Sequence, residues 1–364
     1  MFNTQRRCLI LLIFFSLLNS GVNLIHAAEA YDIGVYYYPG WKQNEVGNWV
    51  KEPWSKISSY PAREPLLGWY DEGDPQVIAQ QLEWMHGYGI NYVIFDWYWT
   101  PNLKTRHEHA ILNYLSLKNK PSVDFAILWA NHDESPKTLD EFRAAVSYWI
   151  THYFAQKEYK KIDGDPVVFI FSANLLEEKA RTFGYTTPQL ILEANTLAKR
   201  HGFKGIKFVG GVGAYDKFFQ KNVHNDGYFA YSAYNYHTGK KTVASNPERN
   251  AHSYTELRLG YQYQWNWFSD SNRRYITPVT SGWDKRPWGG SDDPLHDDCG
   301  STAADFAAHL KDAKASVAKN AVQLGNNMLV ICCWNEYGEG SFIEPTKEMQ
   351  FDYLKAIKKA FTAD

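Results

Sequence analysis

Two glutamates three residues apart, Glu336 and Glu339, are the residues of this sequence best suited to chemistry. They follow an apolar run, residues 328–333, whose length and composition are typical of a buried strand, and Gly338 and Gly340 predict a loop at its end. Two carboxylates at such a junction can converge on one cleft, where one serves as an acid and the other as a base. The pattern therefore predicts acid–base catalysis at the end of this strand.

The same glutamates have a structural alternative, as loop carboxylates or as a pair in salt bridges that hold the loop. Two observations bear on which reaction these glutamates would catalyse. The chain contains 14 tryptophans and 25 tyrosines, whose large rings combine an apolar face with a polar group and suit the faces of sugars. No Ser or Cys lies in a nucleophile-elbow pattern, which argues against acyl transfer. A carbohydrate substrate is therefore the first hypothesis.

Eight short apolar segments predict the framework that positions these residues. They are rich in β-branched and aromatic residues, as expected of strands that are covered on both faces. They comprise residues 32–38, 91–97, 124–130, 166–172, 205–211, 227–234, 275–281 and 328–334.

Helical periodicity lies between many of these segments. One apolar stripe consists of Val77, Ile78, Leu82 and Met85, and later helices are expected over residues 302–320 and 347–361. No GxGxxG follows the first strand, which counts against a dinucleotide-binding fold. The alternation predicts an α/β protein, a single (β/α)₈ TIM barrel domain over residues 31–364.

Polar and aromatic residues follow several predicted strands at their carboxyl ends, the face at which barrel active sites lie. We expect the substrate-binding residues among them. They are Tyr38, Trp41, Asp96, Trp97, Trp129, Asn131, His132, Tyr234, Trp283, Asp284, Trp334 and Asn335. Asp96 has a structural alternative as an acceptor for backbone amides, and His132 is expected to bind by hydrogen bonds rather than to act as a base.

Residues 1–30 predict a secretory signal peptide rather than a part of the fold. Arg6 and Arg7 supply positive charge, residues 8–18 are mostly apolar, and residues 26–30 include small residues suited to cleavage. The apolar core is too short to span a bilayer comfortably, so no stable membrane insertion is expected. The sequence therefore predicts export, to the periplasm or the medium.

Charge and cysteine content limit the partners. A formal net charge of -2 implies no basic face and argues against nucleic acid. No CxxC or His-x-x-His spacing indicates a metal site, and we expect no cofactor and a monomer. Adjacent strand residues point to opposite faces, so a bond between Cys332 and Cys333 is not expected. A disulfide to Cys299 and buried free thiols both remain open.

The segment at residues 333–340, Cys-Trp-Asn-Glu-Tyr-Gly-Glu-Gly, resembles the end of the barrel in glycoside hydrolase family 99. Ile343-Glu344-Pro345 after it fits the same likeness, which extends over nearly the whole mature chain. That family contains endo-α-mannosidases and endo-α-mannanases. Supporting similarities lie at residues 37–41, 96–99, 226–228 with Tyr231, 278–284 and 286–288.

The resemblance implies a retaining α-glycosidase that acts inside a glycan. By its motif, Glu336 would be the base on the sugar 2-hydroxyl, which gives an anhydro-sugar intermediate. Glu339 would be the acid for the leaving oxygen and then the base for water. This division of roles requires a raised pKa at Glu339, while Glu336 stays ionised.

Residues 129–134, Trp-Ala-Asn-His-Asp-Glu, are more similar to the related WbsX-type family, which is described as glycosyltransferase-like. Activated sugar donors are cytoplasmic, so a signal peptide counts against a transferase. We therefore predict a secreted glycoside hydrolase that cleaves internal α-glycosidic bonds in a polysaccharide or oligosaccharide, with α-mannosidic bonds as the candidate. The alternatives are a non-catalytic glycan-binding barrel and a WbsX-type glycosyltransferase-like protein.

Overall fold

Eight parallel strands form a closed barrel in the computed structural model, which describes residues 30–44, 51–100, 102, 104–132, 136–213, 226–245 and 249–362. We number these barrel strands β1 to β8. They are β1 Asp32–Tyr37, β2 Tyr92–Trp99, β3 Asp124–Trp129, β4 Asp165–Ile170, β5 Lys207–Gly210, β6 Ala230–Tyr231, β7 Thr277–Thr280 and β8 Met328–Cys332. Each of the eight predicted segments contains one of these strands or most of it, which confirms the (β/α)₈ prediction.

Strand order explains how the barrel closes. The sheet runs β6-β5-β4-β3-β2-β1-β8-β7, so β1 lies between β2 and β8. The two ends of that order meet at a parallel bridge between Tyr231 and Tyr275. The amide of Tyr231 donates to the Arg274 carbonyl at 3.0 Å, and the amide of Ile276 donates to the Tyr231 carbonyl at 2.9 Å. The carboxyl ends of all eight strands therefore surround one mouth.

Helices cover the outside of the barrel. They are α1 Pro75–Gly87, α2 His109–Ser116, α3 Leu139–Trp149, α4 Ala173–Thr182, α5 Thr187–Arg200, α6 Tyr254–Asp270, α7 Ala303–Leu324 and α8 Asp352–Phe361. The Asp74 side chain accepts from the Gln76 amide at 2.9 Å and caps α1, as Asp-Pro chemistry requires. Helix α8 begins later than predicted, because Gln350 has φ +48° and residues 346–351 form a turn.

Shorter elements decorate this framework. A π-helical turn, Ile150–Phe154, extends α3. Short helical turns lie at Pro53–Lys56, Pro61–Arg63, Arg286–Trp288 and Pro294–Asp298. Short strands lie at Thr105–Arg106, Lys161–Ile162, Gly282–Trp283, Cys299–Gly300, Asn335–Glu336 and Ser341–Phe342.

The pleat of the strands divides the core into two layers. Tyr36, Ile94, Leu128, Phe169 and Val330 pack together inside the barrel. Their chain neighbours point outward and pack against the helices, because successive strand residues face opposite sides. This alternation also decides which residues at the strand ends face the mouth.

Cys332 and Cys333 are joined by a disulfide, which corrects the expectation that they do not bond each other. That expectation assumed the alternation of an extended strand with trans peptides. The peptide between them is cis and their Cα atoms lie 2.9 Å apart, so both side chains lie within bonding reach. Cys299 is a buried free thiol.

The predicted signal peptide and the exact start of the barrel domain lie at or beyond the edge of the described residues, and they stay predictions. Within the described part of the chain, no helix has both the length and the apolar character needed to cross a membrane.

Candidate active site

A tight hairpin after β8 carries the two glutamates. Asn335–Glu336 pairs antiparallel with Ser341–Phe342, so Glu336 lies on a strand and Glu339 in the turn. Gly340 closes that turn with φ +67°, and a Cβ there would lie 2.8 Å from the Asp284 backbone nitrogen. A glycine is therefore required at this position.

Asn335 fastens this hairpin to the loop after β1. Its side-chain oxygen accepts from the Tyr38 amide and its amide nitrogen donates to the Tyr38 carbonyl, both at 2.9 Å. The Trp41 indole nitrogen donates to the Asn335 carbonyl at 3.0 Å, and the Trp41 ring stacks on Trp54. Asn335 and Trp41 are both buried. The structure thus gives them an anchoring position, where the sequence predicted contact with substrate.

Arg63 holds the hairpin from a second side. One guanidinium nitrogen of Arg63 pairs with the Asp284 carboxylate at 2.5 Å, and the other donates to the Tyr337 carbonyl at 2.6 Å. Burial opposes ionisation of Asp284, but its hydrogen bond with Arg286 and the charge of Arg63 outweigh burial and lower its pKa. The Asp284 amide also donates to the Glu339 carbonyl at 2.7 Å. Asp284, predicted to bind substrate, fixes the loop that carries Glu339.

A phenol connects two buried carboxylates beneath the hairpin. The Tyr234 hydroxyl lies 3.0 Å from Oε1 of Glu336 and 3.3 Å from Oδ2 of Asp96. Both carboxyl groups belong to residues that are only 5% exposed. Oδ1 of Asp96 and Oε2 of Glu336 have no hydrogen-bond partner among the described residues. A buried acceptor without a partner is costly, so each of these oxygens needs a donor that the described residues do not supply.

The pKa values of these acids follow from their surroundings. Burial raises the pKa of Glu339 to about 7, and the nearby charge of Lys285 opposes the rise. Burial also raises the pKa of Glu336 well above its usual range, with the charges of Glu339 and Asp96 adding to the effect. The raised pKa of Glu339 is what a catalytic acid requires. At Glu336 the direction is opposite to the expected one, so in the protein alone Glu336 retains a proton more readily than the predicted base would.

A cavity of about 320 Å³ opens beside Glu339, which lies at the small end of the range for ligand sites. Its walls combine aromatic rings with a few polar groups. Among the lining residues are Phe171, Tyr234, Asn235, Tyr236, His237 and Trp283. Glu339 lies in the cavity wall, and Glu336 is connected to it through Tyr234, which lines the cavity and bonds Glu336.

The structure brings several of the predicted site residues to this mouth. Glu336, Glu339, Asp96, Tyr234 and Trp283 surround the cavity or the acid cluster beside it. Tyr38 is half-buried near the same carboxylates, whose charges contribute to the rise of its pKa after burial. The exposed His132 ring lies against Tyr98 and Phe171, at ring-centre distances of 5.8 and 5.3 Å.

Four other predicted contacts are corrected by burial. Trp97, Trp129 and Trp334 are at most 1% exposed and pack in the layer between barrel and helices. Asn131 is fully buried, and its amide group bonds the backbone of Ser172 in both directions. The two strand tryptophans, Trp97 and Trp129, occupy outward positions of the pleat, so they cannot reach the mouth.

Further residues of the mouth were not among the predicted substrate-binding residues, namely Tyr98, Phe171, Tyr236, His237 and Lys285. The alternation along β2 could have identified Tyr98, because it shares a face with Asp96. His237 carried no signal of its own. Asp133 and Glu134, quoted from the third-strand segment, lie outside the described residues.

Across the part of the chain that the structure describes, no group of three or more His, Cys, Asp or Glu side chains could hold a metal ion. Fold and site together define a (β/α)₈ barrel with buried carboxylates and an aromatic-lined cavity at the carboxyl ends of its strands.

The chain belongs to the family described as Glycosyltransferase WbsX, whose model matches residues 58–357. A comparison with curated proteins finds no match. Among solved structures, this chain is similar to the family 99 endo-α-mannosidase from Bacteroides thetaiotaomicron in complex with bis-tris propane, with 16% identity and a TM-score of 0.63. That match covers 90% of this chain and 95% of the other. A glycoside hydrolase-like protein matches with 15% identity and a TM-score of 0.64, over 95% and 98% of the two chains. At these identities the likeness is one of fold.

Proposed function

We propose that this protein is an exported glycoside hydrolase that cleaves internal α-glycosidic bonds with retention, using Glu336 and Glu339. The observation that carries the proposal is the hairpin after β8. It sets Glu339, with a pKa raised to about 7, at an aromatic-lined cavity and Glu336 in the acid cluster beside it. A buried acid with such a pKa can hold a proton for a leaving group near neutral pH.

In the first step, the carboxylate of Glu336 takes the proton of the sugar 2-hydroxyl. The 2-oxygen attacks the anomeric carbon, the bond from that carbon to the leaving oxygen breaks, and Glu339 donates its proton to the leaving oxygen. The product is a 1,2-anhydro sugar. Glu336 begins this step ionised, and a hydroxyl that donates to its unpartnered oxygen stabilises that form against burial.

In the second step, Glu339 is a carboxylate and takes a proton from water. The water oxygen bonds to the anomeric carbon, the bond from that carbon to the 2-oxygen breaks, and Glu336 returns its proton to the 2-oxygen. Two inversions give retention. Internal attack requires the 2-oxygen and the leaving group to lie on opposite faces of the ring. Because α-mannosides meet this requirement and α-glucosides do not, α-mannosidic bonds are the proposed substrate.

The family's description favours a second candidate, transfer of a sugar from an activated donor. The two candidates differ in what they consume. A hydrolase releases free sugar from a glycan in buffer alone, whereas a transferase of this kind needs a nucleotide-linked donor.

The test is a panel of α-linked oligosaccharides, incubated with the mature protein and without nucleotide sugars. We expect cleavage of an internal α-mannosidic bond, with the α-anomer appearing first in NMR spectra taken before mutarotation. Glu336→Gln and Glu339→Gln should each lower turnover by about 10²- to 10⁴-fold. Glu348→Gln, at an exposed glutamate close in sequence, is the matched control.

A β-anomer as first product would overturn the proposed mechanism, and full activity in both variants would overturn the assignment of the pair. Binding of glycans without any product over long incubation would instead favour the non-catalytic barrel.

A further inference from the structure

Two histidines form a chain of hydrogen bonds that ends in the cavity. His237 follows β6 and lines the cavity, while His296 lies in the helical turn Pro294–Asp298 and is 2% exposed. Nδ1 of His296 lies 2.8 Å from the Ala251 carbonyl oxygen. Nδ1 of His237 lies 3.0 Å from Nε2 of His296. The direction of donation between the two rings depends on which nitrogen of each ring carries the hydrogen.

The carbonyl at the start of the chain fixes both tautomers. A carbonyl oxygen only accepts, so Nδ1 of His296 carries the hydrogen. Burial lowers the pKa of His296 and lowers that of His237 to about 3, so both rings are neutral near pH 7. Nε2 of His296 is then an acceptor, and Nδ1 of His237 must donate to it. Nε2 of His237 is therefore left without a hydrogen.

Asn235, which also lines this cavity, has among the described residues an unpaired donor rather than an unpaired acceptor. The Tyr236 amide donates to the Tyr261 hydroxyl oxygen at 3.0 Å, and the Tyr261 hydroxyl in turn donates to Oδ1 of Asn235 at 3.3 Å. This contact fixes the orientation of the Asn235 amide. Its Nδ2 is buried and has no hydrogen-bond partner within the described residues. Asn235 and His237 both line the cavity, so its wall, in the described part of the chain, combines a residue with an unpaired donor, Asn235, and a residue with an unpaired acceptor, His237.

We propose that Asn235 and His237 form a recognition pair for sugar hydroxyl groups in the cavity beside Glu339. A hydroxyl both donates and accepts, so it complements a wall that offers one acceptor and one donor. A deoxy or O-methyl position cannot donate to His237 and leaves that nitrogen unpaired. The pair therefore selects sugars with a free hydroxyl at the position that contacts it. His296 is a positioning residue, which acts only through the tautomer of His237.

The ring of Trp283 supports this geometry. It meets His237 edge to face at 4.1 Å between ring centres and lies nearly parallel to His296 at 5.5 Å. Its indole nitrogen donates to the Ser291 hydroxyl at 2.9 Å, which fixes the ring. Both histidine rings are thus packed against one tryptophan, whose own position is held by a hydrogen bond.

The inference rests on the proposed function only for the class of ligand, and its test needs no turnover. Long-range ¹H–¹⁵N NMR spectra of the ¹⁵N-labelled mature protein report imidazole tautomers directly. We expect both His237 and His296 as neutral rings with hydrogen on Nδ1 at pH 7, and His237→Ala identifies the signals. A hydrogen on Nε2 of His237, or a charged ring, would overturn the inference.

Recognition is tested by adding the methyl α-glycosides of mannose, glucose, galactose and N-acetylglucosamine in turn. At least one should shift the His237 Nε2 resonance, and a monodeoxy form of that glycoside should fail to do so. His237→Ala should weaken its binding about five- to tenfold, as expected for one hydrogen bond. His237→Gln, which keeps an acceptor oxygen, should restore part of the loss.

His296→Phe should give a mixture of His237 tautomers, a change that a merely structural role would not produce. His201→Ala, at an exposed histidine just after α5, is the control and should alter none of these readouts. If no glycoside shifts the resonance, the pair is not a hydroxyl site. Failure of the hydrolysis panel alone would leave this result standing.

Discussion

Two buried glutamates near the end of the barrel, Glu336 and Glu344, differ in how completely the fold satisfies them. Glu344 is 1% exposed and accepts three hydrogen bonds at 2.9 Å, from the Tyr70 and Tyr337 hydroxyls and the Gln81 amide. Glu336 is 5% exposed, and Tyr234 supplies the one hydrogen bond to its carboxylate that the described residues show. Its other oxygen has no partner among them.

The difference separates an acid with a structural role from the proposed base. A buried carboxylate with its acceptors filled stabilises the groups around it, and Glu344 supports the hairpin through Tyr337. A buried carboxylate with an unfilled oxygen is costly unless a ligand supplies the missing donor. Both acids have raised pKa values owing to burial, so the pKa alone does not distinguish them.

The largest expected effect is a loss of turnover, which distinguishes Glu336 from Glu344. Glu336→Gln should lower turnover by about 10²- to 10⁴-fold because it removes the proposed base. Its free energy of unfolding should be unchanged or higher, since an acid that burial disfavours has been neutralised. Glycan cleavage and chemical denaturation measure the two quantities. A large loss of stability with intact turnover would reverse the assigned roles.

Glu344→Gln should change how the free energy of unfolding depends on pH. The folded pKa of Glu344 is raised from 4.5 to about 7, so the folded state binds this proton more tightly than the unfolded state. Its contribution is fully present below pH 4.5 and is lost as pH rises to about 7, by up to about 3 kcal/mol. The variant lacks this loss, so its unfolding free energy should depend less steeply on pH between 4.5 and 7.

Urea denaturation at several pH values checks this prediction. Glu348→Gln is the control, because its side chain is exposed. Parallel pH curves for Glu344→Gln and the wild type would contradict the raised pKa of Glu344.

Tyr234→Phe tests Glu336, the other glutamate of the comparison. The Tyr234 hydrogen bond lowers the Glu336 pKa, so its loss should raise that pKa further. Less Glu336 is then ionised at a given pH, and kcat/KM near pH 6 should fall about tenfold, with the acidic limb of the pH–rate profile moved upward. Tyr159→Phe, which removes another buried phenol and its bond to the Val167 carbonyl, should leave that limb in place.

Lys285→Met should give the smallest effect, a shift of the basic limb. The charge of Lys285 lowers the pKa of Glu339, which is about 7. Activity should decline as Glu339 loses its proton, and without Lys285 this decline should begin at a higher pH, by a few tenths of a unit. The pH–rate profile measures it, with Lys319→Met at an exposed ion pair as control. A downward shift would contradict the assignment of Glu339 as the acid.

The strands and the position of the two glutamates after β8 were predictable because each has a local signal. The run at 328–332 is apolar and β-branched, and the turn glycines after it mark where Glu336 and Glu339 leave the barrel. The orientation of strand-end residues was predictable in principle. Asp96 and Trp97 are neighbours on β2, so only one of them can face the mouth, and alternation assigns that place to Asp96.

Other features depend on contacts between distant parts of the chain. The satisfaction of Glu344 requires Gln81 and Tyr70, which lie far from it in sequence. The tautomer of His237 depends on a carbonyl at Ala251 and on His296 between them. No local pattern encodes these relations, since they arise only when the barrel closes.

The Arg63 clamp has a consequence for altering this protein. Arg63 comes from the segment after β1, Asp284 from the segment after β7 and Tyr337 from the hairpin after β8, and the first binds the other two. Grafting a single loop from a relative would leave a guanidinium or a carboxylate without its counterpart. These three segments depend on one another for their contacts, so an attempt to change the glycan preference should exchange all three together.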